Sequence, residues 1–308
     1  MIRILTLVLI CAATSASAQT SNAEYAAACR EAVGPLPDFS CADGVPVPVT
    51  VDGATPVYVP GMTCDRPSLL DNGTGSDGQC VPHSRILNLS TPTMMVSVMC
   101  RQKVIRDETS LDYDEIDVIA HNPATGATCW FQAEGSRDEP VSGAAVASPT
   151  AAVDDSFWST PETVAADGCG TCHDNDPFMY SPFVGQVLAE IPAAPLGPYF
   201  HVAPHFGFDA WPTATFDLRD NTCLGCHRIG TDKTCGELTQ WMAGQVVPNG
   251  ADALARAFPL SHGMPPAIGL SQQQWTTIYG PAIDEIRSCC LDPSQKSCRL
   301  TAIPRGNP

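Results

Sequence analysis

The residues richest in chemistry are two copies of one pattern, Cys169-Gly170-Thr171-Cys172-His173 and Cys223-Leu224-Gly225-Cys226-His227. In each, two thiols three residues apart lie on one side of a helical turn, and an imidazole follows directly. Three chemistries suit such a set. Two thiolate pairs could close a zinc ribbon. A C-x-x-C pair could cycle as a redox dithiol. Finally, the two thiols could form thioethers to the vinyl groups of a haem while the histidine binds its iron. Only the last gives a role to the histidine that follows both pairs.

At these pentapeptides the chain resembles the c-type cytochromes. The resemblance implies two covalently bound haem c groups, attached through Cys169, Cys172, Cys223 and Cys226, with His173 and His227 as proximal iron ligands. The opposite face of each iron then separates an electron carrier from an enzyme, because Met or His there closes the site. For the second haem, Met264 in Gly263-Met264-Pro265-Pro266 is expected as distal ligand, since small cytochromes c place theirs in a similar Met-Pro turn before the last helix. His262 is its rival, and Met242 reads as packing. For the first haem the order is His201, His205, Met179. The motifs begin 54 residues apart, which is short for two separate haem domains and implies a compact dihaem unit. The stretch Ala127 to Val187 is also similar to an uncharacterised exported bacterial family with a cysteine-rich front domain and haem motifs.

The elements that must position these groups divide in character. The expected class is an α+β multidomain chain: a disulfide-rich β domain followed by a mainly α-helical dihaem cytochrome c domain. Residues 1–18 read as a signal peptide, with Arg3, an apolar run and Ala16-Ser17-Ala18 before Gln19. Residues 19–141 form the cysteine-rich β-rich domain, 142–153 an Ala/Ser/Gly linker, and 154–308 the haem domain. In the front part Pro46 to Val51 and Met94 to Met99 read as strands. Ile116 to Ala120 and Thr128 to Phe131 read as a hairpin around Pro123 and Gly126. His83 and His121 stand alone, and Asp112 to Glu115 reads as a solvated turn. In the rear part, Thr160-Pro161 starts a helix leading into Cys169. Val184, Val187, Leu188 and Ile191 form a helical stripe, and Leu238, Trp241 and Met242 mark a third helix. Ser271 with Gln274 caps a fourth, which Pro281 should kink or split. Phe178, Tyr180, Phe200 and Trp211 are the apolar residues expected around haem.

Of 15 cysteines, Cys11 falls in the signal segment and four belong to the motifs. Six of the remainder precede the first motif and four follow the second, so each half can close its own bridges in an oxidising compartment. The formal net charge of −17 argues against nucleic acid or anionic lipid as partner. It suits a basic or neutral redox partner protein. No integral membrane segment is expected in the mature chain. The function expected is an exported, periplasmic or secreted dihaem carrier of single electrons. The alternatives are a peroxidase-like haem enzyme or gas sensor with one open iron, and a surface binding module that carries haem.

Overall fold

The computed structural model describes residues 11–70, 78–151, 156–252 and 270–307. The helix α1 (Cys11–Ala32) leads in chain order to β1 (Val45–Pro46), β2 (Arg85–Asn88), β3 (Met95–Arg101), β4 (Asp112–Tyr113), β5 (Glu115–His121), β6 (Ala127–Glu134) and β7 (Val141–Ser142). After residue 150 come α2 (Pro161–Ala166), β8 (Phe200–His201), β9 (Ala214–Asp217), α3 (Glu237–Met242), α4 (Gln272–Leu291) and β10 (Arg299–Ala302). A six-stranded sheet in the order β1-β2-β3-β5-β6-β8 dominates. Its neighbours are antiparallel except β6 and β8, which run parallel with Thr128 opposite His201.

Local chemistry explains the β5–β6 hairpin. The Asn122 side chain accepts from the N–H groups of Ala124 (3.0 Å) and Thr125 (3.3 Å), an Asx turn that competes well with extended backbone. Gly126 then turns at φ +86°, and a Cβ there would lie 2.5 Å from the Pro198 carbonyl carbon. The hairpin therefore needs glycine both for its left-handed backbone and for the close approach of β8. On β3, Val96, Val98 and Cys100 alternate inward, the period-2 pattern of a half-buried strand. On β6 all residues but Glu134 are buried, because α1 and α2 cover one face.

Five disulfides staple the chain: Cys29–Cys129, Cys41–Cys100, Cys64–Cys80, Cys235–Cys290 and Cys289–Cys298. Each bridge stays within its half, three before the first motif and two after the second. Such density is consistent with an extracellular or periplasmic setting. Among the described residues no helix is long and apolar enough to cross a membrane.

The expected mainly α-helical rear domain is corrected. Among the described residues, that half has two six-residue helices and one long one, α4, together with β8, β9 and β10 and several single 3-10 turns. Its aromatic stretch packs onto the sheet: Tyr199, Phe206, Phe208 and Trp211 share one core with Tyr25, Val98, Trp130 and Phe131. The physical reason is composition, since Pro192, Pro195, Pro198, Pro204 and Pro212 stop any helix before it lengthens. The stripe beginning at Val184 forms 3-10 turns broken at Val187 (φ −119°, ψ 41°), packed against Val47, Val49 and Ile86.

Smaller expectations also shift. The strand Pro46 to Val51 shortens to Val45–Pro46. The acidic turn is not solvated, for Asp114 and Glu115 are 2% and 6% exposed. Arg106 pairs with Asp114 at 2.6 Å and Arg101 with Glu115 at 3.1 Å. Although burial opposes it, the positive charge of Arg101 and Lys103 beside Glu115 holds that carboxyl down at about 2. The helix α4 runs through Pro281 without splitting, opened by the expected capping box of Ser271 and Gln274.

Candidate functional site

The first motif is reached through α2, where the Thr160 hydroxyl accepts from Thr163 N–H at 3.3 Å and Pro161 sits at the helix start. Gly168 turns left-handed, and Cys169–Thr171 form a 3-10 turn in which His173 N–H donates to the Cys169 carbonyl at 3.0 Å. This turn is built into the sheet-side core. The Trp130 and His173 rings lie 4.9 Å apart. The Trp130 indole N–H donates to His201 Nδ1 at 3.1 Å, and Tyr199 donates its hydroxyl proton to the His173 carbonyl at 2.7 Å. A Cβ on Gly170 would fall 2.3 Å from the Trp211 indole. Burial holds the His173 imidazole at about 4 and His201 at about 3, with His173 also opposing charge on His201. Burial, and then the carboxyls of Asp117, Asp167 and Glu115, push the Cys169 thiol far above its ordinary range.

The second motif is placed differently. Asn221 accepts from Cys223 N–H at 3.1 Å and donates to the Ala282 carbonyl (3.0 Å) and Glu285 (2.8 Å), which ties the motif to α4. Beneath it lies a small core of Phe216, Leu218, Ile229 and Ile286, braced by the two rear disulfides and the β9–β10 pair. Cys223, Cys226 and His227 open onto a cavity of about 500 Å³, within the range of small-molecule and cofactor pockets. Phe178, Tyr180, Leu238, Tyr279 and Ile283 supply apolar wall, and Met179 and Met242 supply thioethers. The His227 Nδ1 lies 3.0 Å from the Arg228 carbonyl oxygen. That acceptor fixes the proton on Nδ1 and leaves the Nε2 lone pair for a metal, the usual orientation of a ligating histidine.

The expected complement of two covalently bound haem c groups is corrected. Among the described residues no group of three or more His, Cys, Asp or Glu converges to hold a metal ion, and ten cysteines are committed to disulfides. None of Cys169, Cys172 and His173 lines the cavity; the first turn packs on Trp211, and His173 lies against Trp130. The second motif has a different setting from the first. A haem brings its own four ring nitrogens and asks the protein for axial ligands, and here a half-buried His227, two motif cysteines and an apolar cavity meet.

The other expected residues fall in different places. His201 is buried against Trp130. His205 is mostly exposed and lies 3.3 Å from Glu24. Met179 faces the cavity of the second motif, and Met264 and His262 lie outside the described residues. Phe178 and Tyr180 line the cavity, whereas Trp211 packs under the first motif. His121 is fully buried, bonded through Nδ1 to Thr128 at 2.9 Å and edge-on to Phe178. Sequence reasoning missed Asn221, Asp176 and Arg228. Arg228 directly follows the motif and Asp176 sits in the acidic run after the other motif, which was the available signal.

The contrast between the two turns is testable without any cofactor. Gly170→Ala should overpack the Trp211 contact and cost about 1–3 kcal/mol. Gly225, with nothing within 4 Å of its hypothetical Cβ, should accept alanine within about 0.5 kcal/mol. Urea unfolding of the two variants checks both values.

Comparison with known proteins ends the resemblance to the c-type cytochromes and to the exported bacterial family as a statement of kinship: no family model, no curated protein and no solved structure matches this chain.

Proposed function

We propose that this protein carries single electrons outside the cytoplasm through one haem held at the second motif. The observation that carries this reading is the apolar cavity onto which Cys223, Cys226 and His227 open together. Bound there, the haem supplies reversible one-electron iron chemistry. The chain supplies the rest. Cys223 and Cys226 would hold the porphyrin edge, and His227, whose Nδ1 lies 3.0 Å from the Arg228 carbonyl oxygen, would offer its Nε2 to the iron. The aromatic and aliphatic walls would give the ring an apolar surface to lie against. Met179 and Met242 line the same cavity, and either would offer a thioether to the iron. That supply favours the carrier over the open-iron enzyme or gas sensor.

The N-terminus, read from the sequence as a signal peptide over residues 1–18, and the disulfides fit a periplasmic or secreted protein. A charge of −17 fits a basic redox partner, whose association rate should fall as salt screens the attraction. The test is a redox titration of the chain produced in a bacterial host that attaches haem to exported proteins. The expected result is a haem spectrum that cycles reversibly with one electron and a ferrous form that leaves carbon monoxide unbound. Absence of haem absorbance overturns the reading, and carbon monoxide binding replaces the carrier with the open-iron alternative.

A further inference from the structure

We propose that, in the buried ion pair between Asp176 and Arg228, each charge offsets the other's pull on the reduction potential of the haem in this cavity, an inference that rests on the haem reading of the site. Among the described residues lining the cavity, Arg228 is the one Lys or Arg and Asp176 the one Asp or Glu. The two lie 3.0 Å apart, with side chains 9% and 7% exposed. Charges so placed are screened far less than surface charges.

The pair is also held rigidly. Arg228 donates to the Asn175 carbonyl at 3.3 Å and to the Gly197 carbonyl as well as to Asp176. Next to it Asp174, fully buried, accepts from Asp232 N–H at 2.8 Å, the Thr234 hydroxyl at 2.6 Å and the Asn175 amide at 3.0 Å. Lys233 N–H donates to the Thr171 carbonyl at 3.0 Å. The segments that follow the two motifs are thus clasped together, and the charge pair sits where they meet.

Oxidised iron carries one more positive charge than reduced iron. A carboxylate at the wall therefore lowers the potential and a guanidinium raises it, so the intact pair nearly cancels. Removing one member should expose the other.

The experiment measures midpoint potentials at pH 8.5 on the intact haem-loaded chain. Asp176→Asn should raise the potential, because the guanidinium is left unopposed. Asp176→Asn combined with Arg228→Gln should return it toward the wild-type value. A merely structural role predicts the reverse, with the double variant displaced furthest, and that outcome overturns the inference. Arg228→Lys keeps the charge and should leave the potential unchanged; a shift as large as that of Asp176→Asn overturns it too, and this arm decides the matter if Asp176→Asn does not fold. If the wild-type chain carries no haem, the functional reading fails and takes this inference with it. If haem is present and the potentials do not follow the charges, this inference alone fails.

Discussion

Replacing both Cys223 and Cys226 with alanine is expected to leave the purified chain without covalent haem, whereas replacing Cys169 and Cys172 should leave that haem in place. The two motifs are near twins in sequence, so only their surroundings separate them. Around the first, Trp211 lies against Gly170 and the Trp130 ring against His173. Ring insertion there would require moving two buried indoles out of a core that also contains Tyr199 and Phe208, and large aromatic residues cost about 3–5 kcal/mol each to remove from such sites. Around the second, Gly225 has open space and both cysteines face a cavity. Intact mass of each variant under denaturing conditions reads the outcome directly. The Cys169/Cys172 variant should report instead on stability, through the packing of Cys169 against the main core.

The largest effect on stability is expected from the bridge Cys29–Cys129, which joins residues 100 apart. In the chain-entropy account, a loop of about that length is worth about 4.7 kcal/mol, against roughly 2.6 kcal/mol for one of nine residues such as Cys289–Cys298. The longer bridge also fixes α1 on β6 beside the Tyr25 hydroxyl, which accepts from Trp130 N–H at 3.0 Å. Its loss therefore frees the helix that covers the sheet near Trp130. Alanine pairs at 29/129 and at 289/298 should both unfold at lower urea, with the first displaced about twice as far. Equal displacement would show that the bridges act locally and not through the unfolded chain.

What could be read from the sequence was local. Helix starts at Thr160-Pro161 and Ser271-Gln274 depend on side chains within one turn of the residues they cap. The β5–β6 hairpin was legible through Pro123 and Gly126, whereas the Asx turn made by Asn122 emerged only in the structure. Cysteine parity also worked, since no bridge crosses the motif region. The rest depends on distant partners. Asp114 and Glu115 read as a hydrated turn because Arg101 and Arg106, which pair with them, are not adjacent in the chain. The spacing of Val184, Val187 and Ile191 fits a helix, yet the stretch settles as 3-10 turns against β1 and β2. No local pattern announces that β8 adds to β6 in parallel. That pairing brings His201 to Trp130 and closes the first motif. The asymmetry of the two pentapeptides is thus a tertiary property, invisible in their own residues.

The central claim is a single haem at a single motif. It is tested most directly by the intact mass, under denaturing conditions, of the wild-type chain from a host that attaches haem to exported proteins. One added haem is the predicted result. A mass with none, or with two, would contradict the account.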